Sequence, residues 1–302
     1  MSPSWRATVG GIVALFLWST LALLSTLAGP VPPFQLVSMA FALATLIAVG
    51  LWLWRRQPPM VVLRQPPGAW LLGVGGLFGY HFFYFLALRL APPVEANLLN
   101  YLWPLLIVLF SAFLPGQRFR LRHLAGAVAG LGGAALLITG GGDASFSGRY
   151  VPGYAAAVVC GVIWAGYSVL NRRYKDVPSD AVGGFCGATA LLALVFHLMF
   201  EETVYPVGWQ WLAVALLGLG PVGAAFFVWD GACKHGDIRA LGTLAYGVPL
   251  VSNGLLILAG RGHLSWQLAV AAALIIGGAI LGAGDLMHRR RRKGPADAPA
   301  SS

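Results

Sequence analysis

Apolar residues occur along the chain in long runs, which are separated by short stretches rich in Pro, Gly and Arg. A helix needs about 20 apolar residues to cross the hydrocarbon core of a bilayer, and ten runs reach or approach that length. The pattern therefore predicts ten membrane-spanning helices joined by short loops. They cover Ala7–Leu27, Phe34–Trp54, Ala69–Leu88, Val94–Leu114, His123–Thr139, Gly153–Leu170, Ala181–Phe200, Trp209–Ala232, Ile238–Ala259 and Leu264–Met287.

Composition supports this pattern. The 302 residues are 58% hydrophobic and 10% charged, with a mean hydropathy of +0.75. Ordinary soluble domains are about 45–50% apolar and about 25% charged. We therefore exclude a soluble enzyme, a disordered chain and a nucleic-acid-binding protein, although the formal net charge is +10. Three cysteines give no disulfide framework.

Basic residues are distributed unevenly between alternate loops. With the N-terminus inside, the cytoplasmic segments carry seventeen of the 20 basic residues, and the outer segments carry only Arg89, Arg149 and Arg261. Because cytoplasmic loops hold the excess of Lys and Arg, the pattern predicts that both termini are cytoplasmic and that the number of spans is even. The basic run at 288–293 is interpreted as a topology anchor that contacts anionic membrane lipids.

The sequence repeats itself at a constant offset of 145 residues. The repeated pairs are Gly73 and Gly218, Phe82 and Phe227, Ala87 and Ala232, Tyr101 and Tyr246, Pro104 and Pro249, Gly132 and Gly277, and Gly133 and Gly278. Each half holds five predicted spans, and an odd number of spans inverts the second copy relative to the first. The predicted fold is thus an all-α integral membrane protein of ten transmembrane helices in two inverted five-helix repeats. The repeats cover residues 1–145 and 146–288, and a basic cytoplasmic tail covers 289–302.

Inverted repeats enclose a cavity near the middle of the membrane and allow two related conformations, each open to one side. This arrangement predicts transport by alternating access. Pro104 and Pro249 lie near the middle of the fourth and ninth spans, where proline kinks a helix. We interpret both as gating positions, and a purely structural kink is the alternative for each.

The segments 87–104 (ALRLAPPVEAN, then YLWP) and 232–249 (ACKHGD, then YGVP) resemble the EamA domain of the drug/metabolite transporter superfamily. Within them and just before them, residues 80–84 (YHFFY) and 97–104 are similar to its aromatic amino-acid exporters. The resemblance extends from Ala7 to Met287. It implies a carrier of the bacterial inner membrane that exports aromatic amino acids, with methionine and other small amphipathic metabolites as further substrates. The second half departs from the motif at Ala225, Phe226 and Val248, so family roles carry over only to the first half.

Aromatic and amide side chains recur at mid-span on shared helix faces. A carrier of an amphipathic solute needs stacking surfaces and a few hydrogen-bonding groups, and polar groups are costly where they face lipid. We therefore predict a substrate-binding surface, for which helix packing is the alternative. Its residues are Tyr80, His81, Tyr84, Asn97, Asn100, Tyr101, Trp103, Trp164, Tyr167, Tyr246 and Asn253.

Few ionisable residues lie within the predicted spans. His81 can bind a substrate carboxylate when protonated or accept a proton during transport, and a hydrogen-bonded interhelical histidine is the alternative. Asp230 and Lys234 are four residues apart near the cytoplasmic end of the eighth span. They are candidates for an inside gate, and mutual neutralisation is the alternative. No carboxylate lies at mid-span, which favours facilitated transport over proton-driven transport.

The chain has no Walker-type loop, no metal-spaced His/Cys cluster and no nucleophile motif, so the sequence predicts no enzymatic activity, no cofactor and no metal. Small-xxx-small patterns at Gly126/Gly130 and Gly278/Gly282 predict close packing of the fifth and tenth spans, as a scaffold or as a dimer face. The expected partners are aromatic amino acids and membrane lipids, not nucleic acid, and the chain is expected to be a monomer or a weak homodimer. Two other functions stay open. One is export of other metabolites or drugs, and the other is a channel-like or lipid-handling membrane protein.

Overall fold

The computed structural model describes residues 2–114, 121–142, 146–260, 263 and 265–292, and residues 282–292 by their backbone alone. These residues form α-helices joined by short turns, with no β-strand among them. The helices are α1 (Pro3–Ser19), α2 (Leu21–Leu27), α3 (Pro33–Trp54), α4 (Pro59–Leu63), α5 (Pro67–Leu90), α6 (Pro93–Asn100), α7 (Trp103–Ser111), α8 (Leu121–Thr139), α9 (Val151–Leu170), α10 (Val182–Phe200), α11 (Trp209–Leu219), α12 (Ala225–His235), α13 (Ile238–Leu244), α14 (Gly247–Leu258) and α15 (Trp266–Arg292).

Eight helical segments of the described chain are each long and apolar enough to cross a membrane, and the bent pair α13–α14 makes a ninth. The tenth predicted span corresponds to α15. Its apolar part with described side chains, Trp266–Leu281, is shorter than the about 20 residues that cross the hydrocarbon core. Ten spans therefore stay a prediction. The side chains of the predicted tail at 289–302 lie outside the described residues, and so do the loop arginines Arg118 and Arg120.

A two-residue turn interrupts the fourth and the ninth predicted spans. α6 ends at Asn100 and α7 begins at Trp103, with Pro104 in its first turn. In the same way, α13 gives way to α14 immediately before Pro249, and the two helices meet at an angle of 40°. A proline lacks the N–H that would bond to the carbonyl four residues earlier, so each break lies directly before its proline.

The eighth span, predicted as one helix, contains a single π-helical turn at Gly220–Ala224 between α11 and α12. Pro221 lies in this turn and cannot donate a backbone hydrogen bond. Its own carbonyl accepts a hydrogen bond from Trp18 Nε1 at 2.9 Å. Such π turns are frequent at functional sites, and this one links the eighth span to α1.

Four helix pairs form the main interfaces of the bundle: α8 with α15, α5 with α9, α3 with α10, and α1 with α12. Glycines allow the closest approach. A Cβ at Gly278 would lie 2.5 Å from the carbonyl oxygen of Gly126, and one at Gly133 would lie 2.9 Å from that of Ala271. Gly278 of α15 thus packs against Gly126 of α8 within one chain, whereas Gly130 faces the ring of Tyr246.

Candidate functional site

Aromatic rings from four helices meet at the centre of the bundle. Trp164 of α9 is buried, and its ring is surrounded by others at centroid distances between 5.2 and 6.3 Å. These rings belong to Trp18, Tyr80, Tyr167, Phe226 and Trp229. We call this set, with Trp164, the aromatic cluster. It offers apolar contact area and ring edges at one place inside the membrane-spanning region.

The predicted residues of α5 and α6 lie together beside this cluster. Tyr80 and Tyr84 are stacked at 6.0 Å with an interplanar angle of 7°. The Tyr84 hydroxyl donates to Asn97 Oδ1 at 2.7 Å, and Asn100 Nδ2 donates to the Tyr80 hydroxyl at 3.2 Å. Both tyrosines are only half-buried. This pair of helices therefore presents hydrogen-bonding groups next to open ring surface.

His81 lies next to Tyr80 on the same helix. Its Nδ1 is 2.7 Å from the carbonyl oxygen of Leu77, and since a carbonyl can only accept, Nδ1 carries the hydrogen. The imidazole is half-buried and meets Phe41 edge-on at 5.4 Å. Nε2 is then the ring nitrogen left for a solute.

The predicted residues of the fourth and ninth spans are divided. Trp103 is buried and meets Trp229 of the cluster edge-on at 6.4 Å. Tyr101 and Tyr246 belong instead to a separate apolar group with Ile275. Tyr246 is fully buried, and its hydroxyl accepts the backbone N–H of Leu105 at 3.0 Å.

Asn253 is also separate from the cluster. Its Nδ2 donates to the carbonyl of Pro249, four residues earlier, at 2.9 Å. The structure thus brings the first-half residues other than Tyr101 together with Trp164 and Tyr167. It does not bring Tyr246 and Asn253 to the same place.

Three members of the aromatic cluster, Trp18, Phe226 and Trp229, are absent from the predicted site. Trp229 is fully buried, and its Nε1 donates to Ser168 Oγ at 3.1 Å. The repeat contained the signal for two of these residues. At the offset of 145, Phe226 corresponds to His81 and Trp229 to Tyr84. Applying the offset to each predicted residue would have found them.

Asp230 and Lys234 form a buried ion pair with Nζ and Oδ2 2.7 Å apart. Asn171 Nδ2 donates to the other carboxylate oxygen at 2.7 Å, and Ser179 Oγ also donates to the carboxylate. Lys234 Nζ donates in addition to the carbonyl of Val177 at 2.9 Å. The two charges neutralise each other, and the network ties α12 to residues 171–179.

A second polar network lies at the opposite ends of α3 and α10. The two carboxylate oxygens of Glu201 accept the backbone N–H groups of Phe34 and Gln35, each at 3.0 Å. These are first-turn donors of α3 without a partner inside the helix. His197 Nδ1 lies 3.0 Å from Glu201 Oε2. The beginning of α3 is thereby fixed to the end of α10.

The fold and the site define a multi-pass, all-helical membrane transporter with an aromatic interior. The sequence model of the EamA-like transporter family matches residues 5–139 and, a second time, residues 151–283. The chain belongs to this family, which confirms the resemblance found in the sequence. It is a transporter and not an enzyme.

Several relatives match nearly the whole chain. The "Aromatic amino acid exporter YddG" of Ancylobacter novellus is 53% identical over 90% of this chain and 95% of its own length. The protein of the same name from Salmonella typhimurium is 26% identical over 92% and 97%. The "Pseudopaline exporter CntI" of Pseudomonas aeruginosa is 26% identical over 94% and 95%. A solved crystal structure with 52% sequence identity matches the fold with a TM-score of 0.89, covering 96% of this chain and all of the other.

Proposed function

We propose that this protein is an inner-membrane carrier that exports aromatic amino acids from the cytoplasm by alternating access. The observation that carries the proposal is the aromatic cluster, in which Tyr80 is half-buried, with the half-buried His81 and Tyr84 beside it. The printed names of relatives at 53% and 26% identity agree with this substrate class.

The substrate is recognised by ring contact and by a few polar groups. Tyr80 and Trp164, 5.5 Å apart, offer ring surfaces to an aromatic side chain. When protonated, His81 donates from Nε2 to the substrate carboxylate, and Asn97 and Asn100 supply amide groups from α6. Trp103 extends this wall, since its ring meets that of Trp229. Such a site is apolar with few convergent polar groups, as small-molecule sites generally are.

Two inverted five-helix repeats, residues 1–145 and 146–288, provide the two conformations. In support, the main helix pairs are unchanged when the halves are exchanged: α5–α9 becomes α12–α1, while α8–α15 and α3–α10 map onto themselves. Individual residue contacts in one half are repeated at the equivalent positions of the other half. Gly73 abuts Phe185, and Gly218 abuts Ala40, with both members shifted by 145 residues.

Gating uses the broken helices and the buried ion pair. The breaks before Pro104 and Pro249 let each half-helix move without losing backbone hydrogen bonds. The Asp230–Lys234 network forms the inside gate, since both groups lie near the end of the eighth span that the charge pattern assigns to the cytoplasm. Both termini are cytoplasmic in this arrangement, and the basic tail at 289–302 contacts membrane lipids. The chain works as a monomer or a weak homodimer.

Counterflow in proteoliposomes tests the proposal. We expect unlabelled phenylalanine inside the vesicles to accelerate saturable entry of labelled tryptophan, because a carrier returns faster when it is loaded. Trp164→Ala should lower transport per folded molecule about 5- to 30-fold, which corresponds to a lost ring contact of about 1–2 kcal/mol. Trp209→Ala is the matched control, since that ring is 83% exposed.

Three results would contradict this function. Entry without acceleration from the opposite side indicates a channel. No entry beyond that of protein-free vesicles removes aromatic amino acids as the substrate and leaves export of other metabolites or drugs. Equal transport by the Trp164 variant and wild type would remove the aromatic cluster from the binding surface.

A further inference from the structure

A pocket of about 410 Å³ opens between the ends of α3, α5 and α10. It lies at the end of the bundle that the charge pattern assigns to the outside. Sites for small molecules have volumes of about 300–1,000 Å³, so the pocket can hold one. Its walls include Phe34, Phe85, Leu88 and Phe200, and its charged groups are Arg89, Glu201 and Glu202.

One face of α5 connects this pocket to the residues beside the aromatic cluster. The Phe85 ring lines the pocket, and its centroid is 6.1 Å from that of His81 and 6.0 Å from that of Tyr84. His81, Phe85 and Arg89 follow one another at intervals of four residues, which places them on the same helix face. At 1.5 Å per residue, Arg89 lies about 12 Å from His81 along the helix axis.

The charges of the pocket are of two kinds. Glu201 is engaged, because its carboxylate holds the first turn of α3 and contacts His197. Arg89 and Glu202 are exposed, and within the described residues neither forms a hydrogen bond or an ion pair. A cation and an anion beside aromatic walls complement the carboxylate, the ammonium group and the ring of an aromatic amino acid.

We propose that this pocket is the outer station of the transport path, at which Arg89 binds the carboxylate and Glu202 the ammonium group of a departing aromatic amino acid. The inference rests on the proposed function. It adds a second binding position to the one at the aromatic cluster and identifies the groups that bind the carboxylate and ammonium group there. The face of α5 from His81 to Arg89 is the route between the two positions.

The role of Arg89 can be tested by measuring the half-saturation concentration separately at each face of the membrane. In right-side-out membrane vesicles, Arg89→Gln should raise the half-saturation concentration for phenylalanine about five-fold, as expected for one exposed charge contact. In inverted vesicles it should stay unchanged. Phenylalanine amide lacks the carboxylate, so its inhibition constant as a competitor should be the same for Arg89→Gln and wild type. Arg149→Gln, another arginine assigned to the outside, should leave all three values as in wild type. An equal change at both faces, or none at the outer face, would overturn the proposal.

A binding measurement keeps this inference separate from the transport function. Leu88→Cys places a thiol in the pocket, and tryptophan should slow its reaction with a maleimide in the purified full chain. The protection should be lost when Arg89→Gln is added. Val207→Cys, exposed and outside the pocket, should react at the same rate with or without tryptophan.

The two results are independent of each other. If wild type transports aromatic amino acids but tryptophan does not protect Cys at position 88, the outer station is wrong and the proposed function stands. If transport is absent and protection is present, the pocket binds the zwitterion and the transport function is wrong. Absence of both overturns both.

Discussion

At the scale of single residues, two of the ion pairs among the described residues differ strongly in burial. The Asp230–Lys234 pair is almost completely buried, with both side chains at most 2% exposed. The Arg55–Asp180 pair has side chains that are 47% and 30% exposed. Exposed pairs contribute about 0–1 kcal/mol to stability. Breaking a buried pair costs about 3–5 kcal/mol, because one charge is left without compensation.

Lys234→Met should therefore lower the free energy of unfolding in mixed micelles by about 3–5 kcal/mol, since the Asp230 carboxylate stays buried without its cation. Arg55→Met, the matched control, should lower it by less than about 1 kcal/mol. Combining Lys234→Met with Asp230→Asn should recover part of the loss. Equal losses for the two single variants would contradict the structural role assigned to the buried pair.

The same scale shows which site residues a sequence can reveal. Tyr80, Tyr84 and Asn97 were predictable, because polar and aromatic groups at helical spacing within an apolar span have to face the protein interior. Trp229 was missed, although the offset of 145 residues pairs it with Tyr84. Its place depends on contacts with α1 and α9, which are far away in the chain and leave no local pattern.

At the scale of helices, glycine position decides how close two helices come. Gly277 and Gly278 are neighbours in α15 with the same intrinsic helix propensity. A Cβ at Gly278 would meet the backbone of α8, whereas one at Gly277 would meet nothing within 4 Å. Backbone atoms cannot move aside as the end of a flexible side chain can, so the two positions should respond differently to alanine.

Gly278→Ala and Gly133→Ala should separate α8 from α15 and lower the melting temperature in detergent, by an amount that corresponds to about 1–3 kcal/mol for overpacking. Gly277→Ala and Gly132→Ala should have no effect or raise it slightly, because alanine favours the helix by up to about 1 kcal/mol. If all four variants changed the melting temperature alike, helix propensity and not close packing of α8 on α15 would explain the effect of these glycines.

Helix breaks were only partly predictable. Pro104 and Pro249 marked the fourth and ninth spans, because a missing N–H has a fixed consequence for the backbone. The break at Thr20, between α1 and α2, has no proline near it. It was missed for that reason. The π turn at Gly220–Ala224 was also missed, since Pro221 lies in a run whose length and hydropathy suit a continuous helix.

At the scale of the whole molecule, the repeat predicts which side of the membrane each loop faces. Met60 lies in the connection between the second and third spans, and Tyr205 in that between the seventh and eighth. They are 145 residues apart in sequence and about equally exposed, at 78% and 77%. If the second copy is inverted, equivalent positions lie on opposite faces of the membrane.

An impermeant maleimide added to intact spheroplasts should therefore label Tyr205→Cys and not Met60→Cys, while disruption of the membrane should expose both. The native cysteines are all buried and give a low background. Labelling of both from the same side would mean that the repeats are parallel, and labelling of Met60→Cys alone would reverse the orientation.

The packing of each half on the other also affects the order of events during biosynthesis. α1, α3, α5 and α8 all have their main partners in the half that leaves the ribosome later. At roughly 5–20 residues per second, synthesis of that half takes on the order of 10 s. Each early helix survives this interval alone, because its backbone hydrogen bonds are internal. During this interval its glycine and aromatic faces lack the helices that cover them in the folded molecule.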